Sequence, residues 1–137
     1  METLPSRLPE RVDDDENLAR FLTQSNLFNS VMAKPAAFLP NPKDGDTSVF
    51  RHDREPKDAL WQLGRDHVAG NRTLYGAAIV KAKYIREAQL DVVAKEPPPR
   101  HANITRWPWL ASDPEMGKAE RKDLANQIAQ HAELLLV

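Results

Sequence analysis

The sequence predicts an α+β domain: one sheet of about five short strands with an N-terminal, a central and a long C-terminal helix packed on it. Three observations lead there. Apolar residues recur at helical spacing in the first, middle and last thirds of the chain. Between them lie short β-branched runs bounded by Pro, Asn, Asp and Gly. The spacing of those runs is too irregular for a doubly wound parallel sheet.

Taken in order, residues 1–11 hold two prolines and little apolar content, the composition of a loose arm. A single domain is expected over 12–137. The run DDDENLARFLTQS starts like a helix. Asp13 is placed to cap it, Glu16 three residues later completes a capping-box pair, and Leu18, Phe21 and Leu22 share one face. PAAFL and TSVFRH then read as two strands joined by the seven-residue turn-former run PNPKDGD.

EPKDALWQLGRDHVAGN is the central helix, with Pro56 in its first turn and Gly70 at its stop. Leu60, Leu63, Gly64, His67 and Val68 fall on one face, and Gly64 within that face implies close backbone packing. TLYGAAIV reads as a strand, KAKYIREAQ as a short helix or turn, and LDVVAKE as another strand. Pro97, Pro98 and Pro99 predict an extended lead-in without donors. In HANITRW, His101, Asn103 and Thr105 alternate with Ala102 and Ile104, the pattern of a half-buried strand. From Asp113 to the end, Ala125, Ile128, Ala129, Ala132, Leu135 and Leu136 repeat with helical period, which predicts one long helix.

Composition narrows the function. With 19 basic and 20 acidic residues the net charge is −1, so no global field draws the chain to polyanions or anionic lipid. The absence of cysteine excludes disulfides, thiol catalysis and thiolate metal sites. No apolar run is long enough to span a bilayer, and the first residues lack the apolar core of a signal peptide, which predicts a cytoplasmic protein. Five glycines form no phosphate loop or nucleophile elbow. No two of His52, His67, His101 and His131 sit at metal-ligand spacing on a helix, and neither metal nor cofactor is expected.

His101 is the candidate acid/base, because a strand end after a stiff segment gives a side chain fixed direction. Tyr75 is a weaker catalytic candidate. Arg51, Arg72 and Arg100 stand at strand ends, where convergence would make a clamp for carboxylate or phosphate. Asn103 shares the His101 face as a further binding candidate. Trp107 and Trp109, with Arg106 before them and Lys118, Arg121 and Lys122 after, combine aromatic and basic character, and a WPW loop can anchor a protein contact or stack on bases. Each has a structural counterpart: packed histidines, ion-paired arginines, a core-closing tryptophan pair.

The segments TSVFRH, RTLYGAAI, LDVVAKEPPPRHANITRWP and KAERKDLANQIA resemble a group of small uncharacterised bacterial proteins that share an SVFR strand, a GxAxI-like strand and a proline-rich lead into HANI followed by WP. The resemblance implies a compact fold and a prokaryotic or mobile-element origin, and brings no activity with it. Where other members carry a charge after the strand's glycine, this chain has Ala77. The reading that follows is a non-enzymatic module binding another protein, as the partner or immunity half of a bacterial conflict or defence system. An enzyme acting on a nucleotide or phosphate-bearing substrate through His101 and the three arginines is the alternative. Nucleic-acid binding ranks third, and the sequence leaves the oligomeric state open.

Overall fold

A computed structural model describes residues 4–52, 55–108, 113 and 115–137. Six strands, β1 (Asn17–Leu22), β2 (Thr47–His52), β3 (Gly76–Lys81), β4 (Asp91–Ala94), β5 (His101–Thr105) and β6 (Glu133–Leu136), form one sheet in the order β4-β5-β2-β1-β3-β6. Every neighbouring pair is antiparallel. Three α-helices complete the α+β fold: α1 (Lys57–Gly64), α2 (Ala82–Glu87) and α3 (Lys118–Gln130). On one sheet face Leu18, Leu22, Val49, Val80 and Ile104 pack with Ile85 of α2 and Ala125 and Ile128 of α3. On the other, Ala19, Phe21, Phe50, Ala77 and Ile79 pack with Leu60 and Trp61 of α1.

The expected N-terminal helix is strand β1. Its apolar side chains enter both cores, Leu18 and Leu22 one and Ala19 and Phe21 the other. A central strand buried on both faces loses its alternation, and the surviving spacing at 18, 21 and 22 mimics a helix. Half of the expected capping pair forms, in a turn that enters a strand: the Asp13 N–H donates to Glu16 Oε2 at 2.6 Å, while the Glu16 N–H donates to the Asp13 backbone carbonyl.

Two further elements differ. PAAFL is a 3-10 turn over Pro35–Phe38 that buries Ala37 and Phe38, and the Thr47 hydroxyl donates to the Phe38 carbonyl at 2.7 Å. The C-terminal helix stops at Gln130, and Glu133–Leu136 pairs with β3 instead. That pairing needs Gly76, since a Cβ there would lie 2.1 Å from the Leu135 carbonyl oxygen. Leu135 and Leu136 thus fell on a helical period by coincidence.

The central helix keeps its expected start, and Gly64 does admit a close neighbour: a Cβ would meet the Phe21 ring at 2.8 Å. After Gly64 the chain runs through a π-helical turn, Arg65–Ala69. The widened turn takes His67 off the buried face into solvent, while Trp61 is only 7% exposed. The Pro97–Pro99 segment is the connection between antiparallel β4 and β5, not an extended lead-in.

At the centre of the sheet, Arg51 is fully buried. Its Nε and Nη2 donate to Glu16 Oε1 and Oε2 at 2.7 and 2.9 Å, and Nη1 donates to the Pro9 carbonyl at 2.6 Å. Ser6 adds N–H and hydroxyl bonds to Glu96, so the segment before β1 is held at several points. Removing one partner of a buried ion pair leaves the other charge uncompensated. Glu16→Ala is expected to lower the free energy of unfolding by about 3–5 kcal/mol, measured in urea. Glu16→Leu combined with Arg51→Met should cost clearly less.

A polar groove over strands β2 and β5 as the candidate functional site

The site begins with register. Ser48 faces Asn103 and Phe50 faces His101 across the β2–β5 ladder. Alternation therefore puts Ser48, Phe50, His101 and Asn103 on one face, while Val49, Ala102 and Ile104 point into the opposite core. Phe50 is covered by the α1 cluster, and Ser48, His101 and Asn103 line an open groove of about 750 Å³. Leu39, Pro40 and Pro42 give the groove an apolar side, and Arg20, Asp44, Asp46 and Lys95 give it charge.

His101 is fixed at three points. Its Nδ1 lies 2.7 Å from the Lys95 carbonyl oxygen, its Nε2 lies 2.7 Å from Ser48 Oγ, and its ring meets Phe50 edge-on at 5.3 Å between centroids. A carbonyl can only accept, so Nδ1 carries the hydrogen; in the neutral ring Nε2 then accepts the Ser48 hydroxyl proton. The Lys95 N–H donates in return to the His101 carbonyl at 2.8 Å, which locks the two backbones together.

Asn103 is 8% exposed and lines the groove, and its side-chain amide makes no hydrogen bond among the described residues. The residue is buried, but its amide atoms are not among those shut off from solvent, so the amide opens into the groove. Arg20 works from beneath. The β1–β2 register ends at Ala19↔Phe50, and the Arg20 Nη1 donates to the Ser48 carbonyl at 2.9 Å while Nε donates to the Ala37 carbonyl at 2.8 Å. Burial, and then the Arg72 charge, hold the Arg20 pKa below its ordinary value. On the groove wall Asp46 is raised above the usual carboxylate range, chiefly by burial and then by Asp44, with Lys95 opposing.

The arginines expected to converge have separate internal tasks. Arg51 holds Glu16; Arg72 donates to the Val68 and Ala69 carbonyls at 2.6 and 3.3 Å. Arg100 donates to the Arg51 carbonyl at 2.9 Å and pairs with Glu55. Tyr75 packs on Phe28 at 5.5 Å, apart from the groove lining. Trp107 is 5% exposed within the core, so its ring presents no stacking surface, and Arg121 is buried with donations to the Pro108 and Met116 carbonyls. Trp109 lies outside the described residues. His52 is largely covered and sits 3.3 Å from Glu55.

His101 and Asn103 were visible as the polar side of HANIT. Ser48 and Arg20 were not, because their place depends on pairing with distant strands; the alternation of TSVFRH was the only available signal for Ser48. Asp44 and Asp46 were readable only as turn residues.

Among the described residues no cluster of His, Asp or Glu could hold a metal ion, and no helix is long and apolar enough to cross a membrane. No protein-family model, curated protein or solved structure matches the chain.

A raised carboxyl pKa means that the folded state holds the Asp46 proton more tightly than the unfolded chain, so its ionised form opposes folding. Asp46→Asn should therefore unfold at a higher temperature than wild type at pH 7. That gap should close as the pH is lowered through the raised pKa to below 3.8, where both states are protonated. Thermal unfolding across pH 3–8 measures it.

Proposed function

We propose that the protein is an interaction module that takes an extended segment of another protein into the groove over β2 and β5. The observation that carries this reading is the Asn103 amide, which opens into the groove from a largely buried residue and has no partner among the described residues. A carboxamide offers one acceptor and two donors, the complement of a peptide group. The apolar side formed by Leu39, Pro40 and Pro42 suits an aliphatic side chain of the segment. Asp44 and Asp46 together favour a basic residue beside it, since a cation there offsets the burial, and then the Asp44 charge, that raise Asp46. A role as the partner or immunity component of a bacterial conflict system is compatible with such a module.

The phosphate-clamp reading loses its support, because Arg51, Arg72 and Arg100 already donate to internal acceptors. A separate apolar surface at the end of β6, where Leu136 is 50% and the following Val137 58% exposed, offers a second contact region.

The test uses tagged wild type and Asn103→Ala in nuclease-treated host lysate, followed by affinity measurement with the recovered partner. One stoichiometric partner should bind wild type, and Asn103→Ala should weaken it by about 10-fold or more, the effect of leaving a buried polar group unpaired. A partner held equally by both proteins, or none at all, overturns the reading.

A further inference from the structure

The groove holds more than a recognition surface needs. We propose that Ser48 and His101 are a nucleophile and general base that move the acyl group of an ester or thioester first to Ser48 and then to water. Three features support the pair. The Ser48 hydroxyl and His101 Nε2 are at 2.7 Å, the contact a base needs with the proton it removes. The opposite ring nitrogen donates to the Lys95 carbonyl at 2.7 Å, so a third group orients the imidazole and selects the tautomer with Nε2 free to accept. Asn103 stands directly across the ladder from Ser48 with its amide unpaired. Opposed residues hold their Cβ atoms about 5 Å apart, so the Asn103 N–H is in range of a carbonyl oxygen bonded near Ser48 Oγ.

The steps follow from these positions. Ser48 Oγ attacks the carbonyl carbon and its proton passes to His101 Nε2; the carbonyl π pair moves to oxygen, where the Asn103 amide donates to it. As the carbonyl re-forms, the bond to the alcohol or thiol breaks and that group leaves with the His101 proton. Water then attacks the acyl-Ser48 ester, giving its proton to His101. Collapse releases the carboxylic acid and returns the proton to Ser48.

The chemistry also selects the substrate class. A neutral carbonyl behind the histidine stabilises an imidazolium less than a carboxylate would, which suits esters and thioesters with good leaving groups over amides. Arg20 fixes the Ser48 backbone from below, and the arginines around the sheet are engaged with internal acceptors, so phosphoryl groups meet no clamp.

An alkyl fluorophosphonate tests the pair directly, since Ser48 oxygen would displace fluoride at phosphorus while His101 takes its proton. Intact-mass analysis of the full chain should show one adduct, mapped to Ser48, together with turnover of p-nitrophenyl butyrate. Ser48→Ala should give no adduct, and His101→Gln, which keeps a polar contact but cannot act as base, should label at least about 100-fold more slowly. Both variants are checked for native thermal unfolding; each alone is decisive if the other fails to fold. No adduct on wild type, an adduct on another serine, or an unchanged rate in His101→Gln overturns the proposal. The activity rests on the same groove as the interaction reading, and the two are read separately: labelling and ester turnover need no protein partner, and partner capture by wild type needs no labelling.

Discussion

The ion pair between Arg51 and Glu16 is the contact that most of the structure depends on. Arg51 stands on β2 with β5 on one side and β1 on the other, and among the described residues its guanidinium is satisfied by the segment that leads into β1. The backbone of Glu16 then accepts the N–H of Ala82, the first residue of α2, and Arg86 of α2 donates to Asp14 and Asp91 at 2.6 and 3.0 Å. One buried charge thereby links the chain's beginning, the middle of the sheet and the helix beside its edge. Buried pairs of this kind add little net stability over an apolar filling, but they penalise every arrangement that separates them. A one-residue slip of β2 would turn Arg51 toward Phe21, Leu60 and Trp61 with no acceptor for its charge.

The same constraint places the groove. Because Arg51 must face the Glu16 side, alternation turns Ser48 to the opposite face, where His101 and Asn103 are already presented by β5. Arg20 supports this from the point where β1 and β2 part, occupying a Ser48 carbonyl that the ladder no longer reaches. Core-facing and groove-lining side chains therefore alternate along a single strand.

Legibility in the sequence tracked how local each decision is. TSVFRH, HANIT and the start of α1 are set by near neighbours, and all three were readable. NLARFL and ELLLV were misread as helix because burial on both faces, or a glycine-gated contact with β3, decided them from far away. His67 was misplaced by the single extra residue of a π-helical turn, which no apolar count anticipates. In the site, the polar edge of β5 is legible, and of the two readings open for the arginines, a ligand clamp or internal pairing, internal carbonyls and carboxylates take them up. Trp107 followed the same rule: a tryptophan next to proline closed the core.

The strand order also has a kinetic side. Only β4 and β5 are joined by a short connection; Phe50 and His101 lie 51 positions apart, Gly76 and Leu136 60 apart. Most of the sheet must therefore pay loop-closure entropy before its contacts reward it, the regime of high contact order and slow folding. His101 and its Lys95 carbonyl belong to the one local hairpin and can meet early. Ser48 arrives only when β2 docks against β5, so the Ser48–His101 contact is a late event, a reporter of completed assembly rather than of secondary structure.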